Sequence, residues 1–163
     1  MEKIWATWRM NYIGEKKKYD GCIFCDFPKA GKDEEYYILY RGKYSFIIMN
    51  AYPYSNGHLM VIPYRHTNDF ASLSDEESAE IMKLGRLAVN ALSKVYSPSG
   101  FNIGWNIGEV AGAGIAGHIH MHVVPRWNGD TNFMPVLGET KVIPEDLKTG
   151  YGKIRKAIEE ITA

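Results

Sequence analysis

Two hydrophobic periods run through this chain. Over residues 117–126, Ile119, Met121 and Val123 alternate with His118, His120 and His122. Alternation of this kind marks a half-buried strand, in which odd and even positions face opposite ways. The three imidazoles then share one face, with successive Cβ atoms roughly 6–7 Å apart. Further strand-like segments lie at residues 35–41, 44–50, 58–62 and 101–108, divided by turn residues such as Gly42, Pro53, Asn56 and Gly57. Between residues 62 and 101 the period changes. Ser74, with Glu77 three residues on, forms a capping box. Ile81, Leu84, Leu87, Ala88, Ala91, Leu92 and Val95 then recur at helical spacing until Ser97-Pro98-Ser99-Gly100. A second helix is expected within 144–161, where Ile154, Ala157, Ile158 and Ile161 share a face and Gly150 and Gly152 argue for a break before it. Residues 128–140 show no clear period and are expected to wrap the surface or a partner. Meander strands crossed by a long helix read as an α+β fold, a five-stranded antiparallel sheet with one long helix packed on it.

Composition narrows the classes. The chain has 163 residues, with 19 basic and 19 acidic side chains and no formal net charge. Its length suits one domain with a real core. Residues 1–163 are read as that domain, with 1–35 and 128–163 as extensions. A protein that coats nucleic acid would show a basic excess, so no nucleic-acid partner is expected. No apolar run approaches the length of a membrane span, and the first residues lack a signal-peptide core; the expected location is the cytoplasm. Trp5 and Trp8 stand in a segment that docks either on its own core or against a base or dimer partner. Glutamine is absent altogether, a trait shared with high-temperature proteins.

The candidate chemistry gathers at the histidines. Three of the five stand in the alternating stretch. Such a row can bind metal, hold an anion, or attack phosphorus through a ring nitrogen; the bland alternative is an edge strand of solvated imidazoles. Gly112, Gly114 and Gly117 precede it, and a glycine-rich loop can turn successive amides toward an anion. The alternative there is a plain hairpin loop. Cys22 and Cys25 are the only cysteines. Two cysteines at this spacing suggest metal or redox chemistry. A thioredoxin-like pair should open a helix within a βαβ unit, and residues 26–33 do not read that way. Zinc would need about two more ligands, for which the histidines are the available soft partners; the alternative is a pair of buried free thiols.

The run His-Ile-His-Met-His-Val-Val-Pro-Arg resembles the signature of the histidine-triad superfamily of nucleotide hydrolases and transferases. Residues 46–66 are similar to that family's central hairpin, and Asn106-Ile-Gly-Glu to its loop before the triad. Trp8-Arg9-Met10, Arg126-Trp127 and residues 129–136 resemble a bacterial branch that includes diadenosine tetraphosphate phosphorylases. The resemblance implies the strand order and a nucleotidyl-histidine intermediate on His120. It implies that His122 and the amides near Gly112 and Gly114 stabilise phosphate oxygens, with His118 in the same nucleotide site. It places Asn50 at the ribose hydroxyls, Asn106 at phosphate and His58 behind the triad. It implies a structural zinc on Cys22, Cys25, His66 and His118, a nucleotide partner with inorganic phosphate as acceptor, and a homodimer or higher homo-oligomer. One departure is chemical. Many members carry Gln-Ser or Gln-Thr before the triad, whereas residues 112–117 here offer neither hydroxyl nor glutamine. That favours a polyphosphate leaving group, which needs less protonation than an amine. Rival readings are an adenosine phosphoramidase or general nucleotide hydrolase, a non-catalytic nucleotide-binding module, and a metalloenzyme with His118, His120 and His122 on one metal.

Overall fold

The computed structural model describes residues 21–133 and 142–163. Trp5, Trp8, the rest of residues 1–20 and the stretch 134–141 lie outside them. Five antiparallel strands form one sheet: β1 Ile38–Arg41, β2 Ser45–Met49, β3 Leu59–Pro63, β4 Gly100–Trp105 and β5 Met121–Arg126, in the order β1-β2-β3-β5-β4. Among the described residues, three α-helices accompany it: α1 Ile23–Ala30, α2 Asp75–Tyr96 and α3 Leu147–Thr162. No helix among the described residues is long and apolar enough to cross a membrane.

The central strands are buried on both faces. Every residue of β2 and β3 is buried, which is why they read as unbroken apolar runs instead of alternating ones. On one face, Ile47, Met49, Leu59, Val61, Met121 and Val123 pack with Ile81, Leu84, Ala88 and Leu92 of α2 and Ile154 and Ile158 of α3. On the other, Phe46, Ile48, Met60 and Ile62 pack with Phe24 of α1.

The capping box at Ser74 is formed as its residues dictate: Glu77 N–H donates to Ser74 Oγ, and Ser74 N–H donates to Glu77. The carboxylate of Glu77 also takes two bonds from Arg65, at 2.7 and 2.8 Å, tying the start of α2 to the chain after β3. Farther along α2, a Cβ on Gly85 would lie 2.7 Å from Met121 Cε. The absence of a side chain lets α2 approach β5 directly behind the histidines.

Two expectations are corrected. Residues 23–30 are helical, with Cys22 at the N-cap and Gly31 closing the helix in the left-handed region at φ 67°. Pro28 inside the segment conceals this helix, although Ile23, Phe24 and Phe27 are helically spaced and Gly31 is a stop signal. Gly150 and Gly152 do not break α3; they lie within it, after Asp146 caps the helix by accepting from Thr149 N–H at 3.0 Å. A Cβ on Gly150 would sit 3.1 Å from Tyr96 Oη and 3.3 Å from Met49 Cε, so close packing of α3 requires a small residue there.

Candidate active site and metal cluster

The ladder of β5 begins at Met121, so His118 and His120 precede it and His122 lies within it. Ile119 N–H is drawn away from the sheet to the Thr67 carbonyl at 2.7 Å. The alternation still holds: Met121 and Val123 enter the core beneath α2, while His118, His120 and His122 are 0%, 4% and 8% exposed on the face that Phe24 covers.

Each imidazole has a distinct task set by its partners. His120 Nδ1–H donates to the His118 carbonyl at 2.8 Å. A carbonyl only accepts, so the proton sits on Nδ1 and the lone pair on Nε2. Burial holds His120 below the ordinary histidine value, partly offset by that carbonyl, which keeps the ring neutral. Its ring centroid lies 5.1 Å from that of Phe24 and 4.8 Å from that of His122, which stands at 76° to it. A neutral, oriented imidazole with one uncommitted lone pair is a nucleophile.

His122 is configured from behind. Tyr54 N–H donates to His58 Nδ1 at 3.0 Å. His58 therefore carries its proton on Nε2 and donates it to His122 Nδ1 at 2.9 Å. Neutral His122 then presents Nε2–H. Asn50 joins this relay: its Oδ1 accepts from Tyr52 N–H at 2.9 Å, which turns its Nδ2 toward His58 Nδ1 at 3.3 Å. Asn106 Nδ2 lies 3.4 Å from His122 Nε2. Two donors cannot bond, so the amide satisfies His122 only when turned to present Oδ1. Sequence reasoning missed Tyr54, whose role is carried by its backbone N–H and so leaves no residue-type signal.

The glycine loop is partly committed to itself. Gly112 adopts φ 91°, but its N–H donates to the Glu109 carbonyl at 2.9 Å and Ala113 N–H donates to the Gly108 carbonyl at 3.2 Å.

His118 faces elsewhere. Its Nε2–H donates to the Pro63 carbonyl at 2.9 Å, while Nδ1 lies 3.4 Å from Cys22 Sγ and 3.5 Å from Cys25 Sγ. His66 Nδ1 is 3.3 Å from Cys25 Sγ. Both ring nitrogens of His118 are thus engaged away from the triad site. The ligand atoms of Cys22, Cys25, His66 and His118 all lie within 4.8 Å of one another. A tetrahedral zinc with Zn–S of ~2.3 Å and Zn–N of ~2.0–2.1 Å has S···N edges of about 3.5 Å, so the four residues fit such an ion. Burial, with Cys22 alongside, pushes the Cys25 thiol up to about 11. Burial, aided by His66 and His120, pushes His118 down to about 4, leaving it neutral as a ligand must be. The backbone bond at Nε2 fixes the tautomer that aims the lone pair of Nδ1 at the sulfurs. Among the described residues His118, His120 and His122 form no shared metal cluster.

Residues 32–129 match the HIT domain family model. The chain belongs to the HIT family. This HIT protein is 41% identical over 156 residues to the AP-4-A phosphorylase of Mycobacterium tuberculosis, covering 91% of this chain and 80% of that protein. It is 30% identical over 127 residues to the adenosine 5′-monophosphoramidase of Schizosaccharomyces pombe, covering 78% and 90%. A Zn-bound histidine triad family protein from Mycobacterium smegmatis shares the HIT architecture at TM-score 0.70 and 27% identity, covering 87% of this chain and 96% of the other.

Proposed function

We propose that this HIT protein cleaves dinucleoside polyphosphates by nucleotidyl transfer through His120, with inorganic phosphate as acceptor. The observation that carries the reading is the orientation of His120, whose Nδ1–H is held by the His118 carbonyl while Nε2 keeps its lone pair. The 41% identity to an AP-4-A phosphorylase supports the substrate class.

In the first half-reaction His120 Nε2 attacks the α-phosphorus of diadenosine tetraphosphate. A P–N bond forms, and the bond to the bridging oxygen breaks with its electron pair leaving on ATP. His122 Nε2–H donates to the oxygens that gain charge, an electrostatic contribution that is commonly large. ATP leaves as a polyanion and needs no proton at the bridging oxygen, which accords with a loop that lacks hydroxyl and glutamine side chains. In the second half-reaction a phosphate oxygen attacks the same phosphorus, the P–N bond breaks, and ADP leaves. Asn50 holds the ribose hydroxyls, Asn106 meets phosphate, and the loop of Gly112 and Gly114 flanks it. The amides of Gly112 and Ala113 are committed within the loop, so that last role passes to its Gly114 side.

Cys22, Cys25, His66 and His118 hold one zinc in this reading. The ion supplies cross-linking, joining α1 to the end of β3 and to the approach of β5. The Zn-bound neighbour and the fit of the four donors support it. Residues 1–163 act as one unit in the cytoplasm, as a homodimer or higher homo-oligomer. Chromatographic analysis of products from diadenosine tetraphosphate tests the function. ADP and ATP in the presence of phosphate are expected; AMP and ATP as the only products would assign the protein to hydrolysis.

A further inference from the structure

Asn50 stands directly after β2, half-buried, and its backbone N–H donates to the His58 carbonyl at 3.0 Å. The two residues thus pair at the mouth of the loop that joins β2 to β3. Their side chains meet as well. Asn50 Oδ1 accepts from Tyr52 N–H at 2.9 Å, and Nδ2 lies 3.3 Å from His58 Nδ1, the nitrogen that also accepts from Tyr54 N–H at 3.0 Å. These partners fix the amide. Turned over, its NH2 would face the Tyr52 N–H and its oxygen would face the lone pair of Nδ1, two contacts of like polarity.

A side-chain amide has two donor and two acceptor positions. Tyr52 and His58 take one of each. One N–H and one lone pair remain, which is what a pair of neighbouring sugar hydroxyls requires: one hydroxyl donates and the other accepts. His58 passes the same polarity on. Donors at its Nδ1 keep its proton on Nε2, which donates to His122 Nδ1 at 2.9 Å and leaves His122 with Nε2–H. A carboxylate in place of the amide would serve the sugar, since it can accept from both hydroxyls, but would set an oxygen against the lone pair of His58 Nδ1. A proton moved from Nε2 to Nδ1 of His58 relieves that contact at the expense of the Tyr54 bond. His122 must then donate from Nδ1, and its Nε2 is left with a lone pair.

We infer that Asn50 is a positioning residue that couples recognition of the sugar to the donor state of His122. This rests on the proposed nucleotidyl transfer and on the ribose lying at Asn50. Hydroxyls bound at the two remaining positions hold the amide against His58, so part of the binding energy of the ribose, remote from phosphorus, is realised as turnover.

Two substrates and two variants test it. The 2′,3′-dideoxy form of diadenosine tetraphosphate lacks hydroxyls on both sugars, whichever nucleoside reacts. With it, wild-type kcat should fall about tenfold, the worth of a well-placed hydrogen bond, beside a rise in KM. After Asn50→Ala the two substrates should share one kcat. Asn50→Asp, of nearly the same size, should keep KM for diadenosine tetraphosphate close to wild type while kcat falls about 10²-fold, as for one lost oriented donor. Nitrogen-15 NMR of labelled histidines reads the protons without turnover: His58 and His122 should both carry them on Nε2 in the wild type and on Nδ1 in Asn50→Asp. A dideoxy substrate that changes only KM in the wild type overturns the coupling, as does a kcat difference that survives Asn50→Ala. An Asn50→Asp protein with wild-type kcat, or with both protons still on Nε2, overturns the positioning role. A wild type that cleaves neither substrate removes the proposed function, and the NMR pattern still decides whether Asn50 sets the relay.

Discussion

Replacing His58 tests the relay that arms His122. The side chain is fully buried and its two ring nitrogens meet Tyr54 N–H and His122 Nδ1. His58→Ala leaves a cavity, and truncations of comparable core side chains cost about 2–5 kcal/mol. It also strands a buried donor and a buried acceptor, at about 1–3 kcal/mol each when nothing replaces the partner. Water entering a polar cavity recovers part of both terms, so a net loss of about 3–6 kcal/mol is expected. For a chain of this size, at ~2–4 °C per kcal/mol, the melting temperature should fall by about 6–24 °C. His58→Phe fills the site with a somewhat larger ring and removes the hydrogen bonds, so without a cavity its loss should be the smaller. Both variants free His122 to carry its proton on Nδ1, which turns Nε2 from donor to acceptor. Turnover should then fall about 10²–10³-fold, the usual effect of removing one oriented donor. Thermal melts combined with initial rates on diadenosine tetraphosphate, measured below both melting points, give the two readouts. A His58→Phe protein that melts and turns over like the wild type would refute the relay.

Three further outcomes are expected. Protein purified without chelator should carry about one zinc per chain by elemental analysis, and Cys25→Ser should lower both zinc content and melting temperature while leaving residual turnover in the folded fraction; metal-free protein with an unchanged melt would remove the zinc. Arg65 holds the Glu77 carboxyl down to about 2, so this contribution is complete above the ordinary value near 4.5 and is lost as pH falls toward 2. Glu77→Gln should therefore cost about 1 kcal/mol at neutral pH, discounted for the exposure of Arg65, and the difference from wild type in denaturant melts should shrink between pH 4.5 and 2; a difference constant with pH would exclude the ion pair. Gly57→Ala should destabilise by about 2 kcal/mol, since Gly57 has φ 72° and a Cβ there would meet Leu92 Cδ2 at 2.9 Å; a melt equal to wild type would show that the turn before His58 relaxes freely.

Periodicity alone located most of the architecture. The capping box, the stripe of α2 and all five strands follow from local residue types, with strand ends shifted by a few positions. The helix α1 was not legible because Pro28 and the cysteine pair mask its short apolar spacing. Burial of the histidine face was not legible either, since it depends on Phe24 folding over the sheet from a segment distant in sequence. Spacing pointed to the Cys pair as a ligand candidate, but the choice of His66 and His118 among five histidines came from family resemblance. Only the rotamer of His118, turned between Pro63 and the sulfurs, separates a metal ligand from a third member of the triad site. Rotamers of this sort are decided by tertiary packing, which no local pattern encodes.

The nucleotidyl-histidine route is tested most directly by rapid acid-free quenching of protein mixed with diadenosine tetraphosphate in the absence of phosphate, followed by mass mapping of the peptides. The expected result is an adenylyl group on His120 that disappears, as ADP, when phosphate is added. An adenylyl group on another residue, or product formation with no adduct on His120 at any quench time, would contradict it.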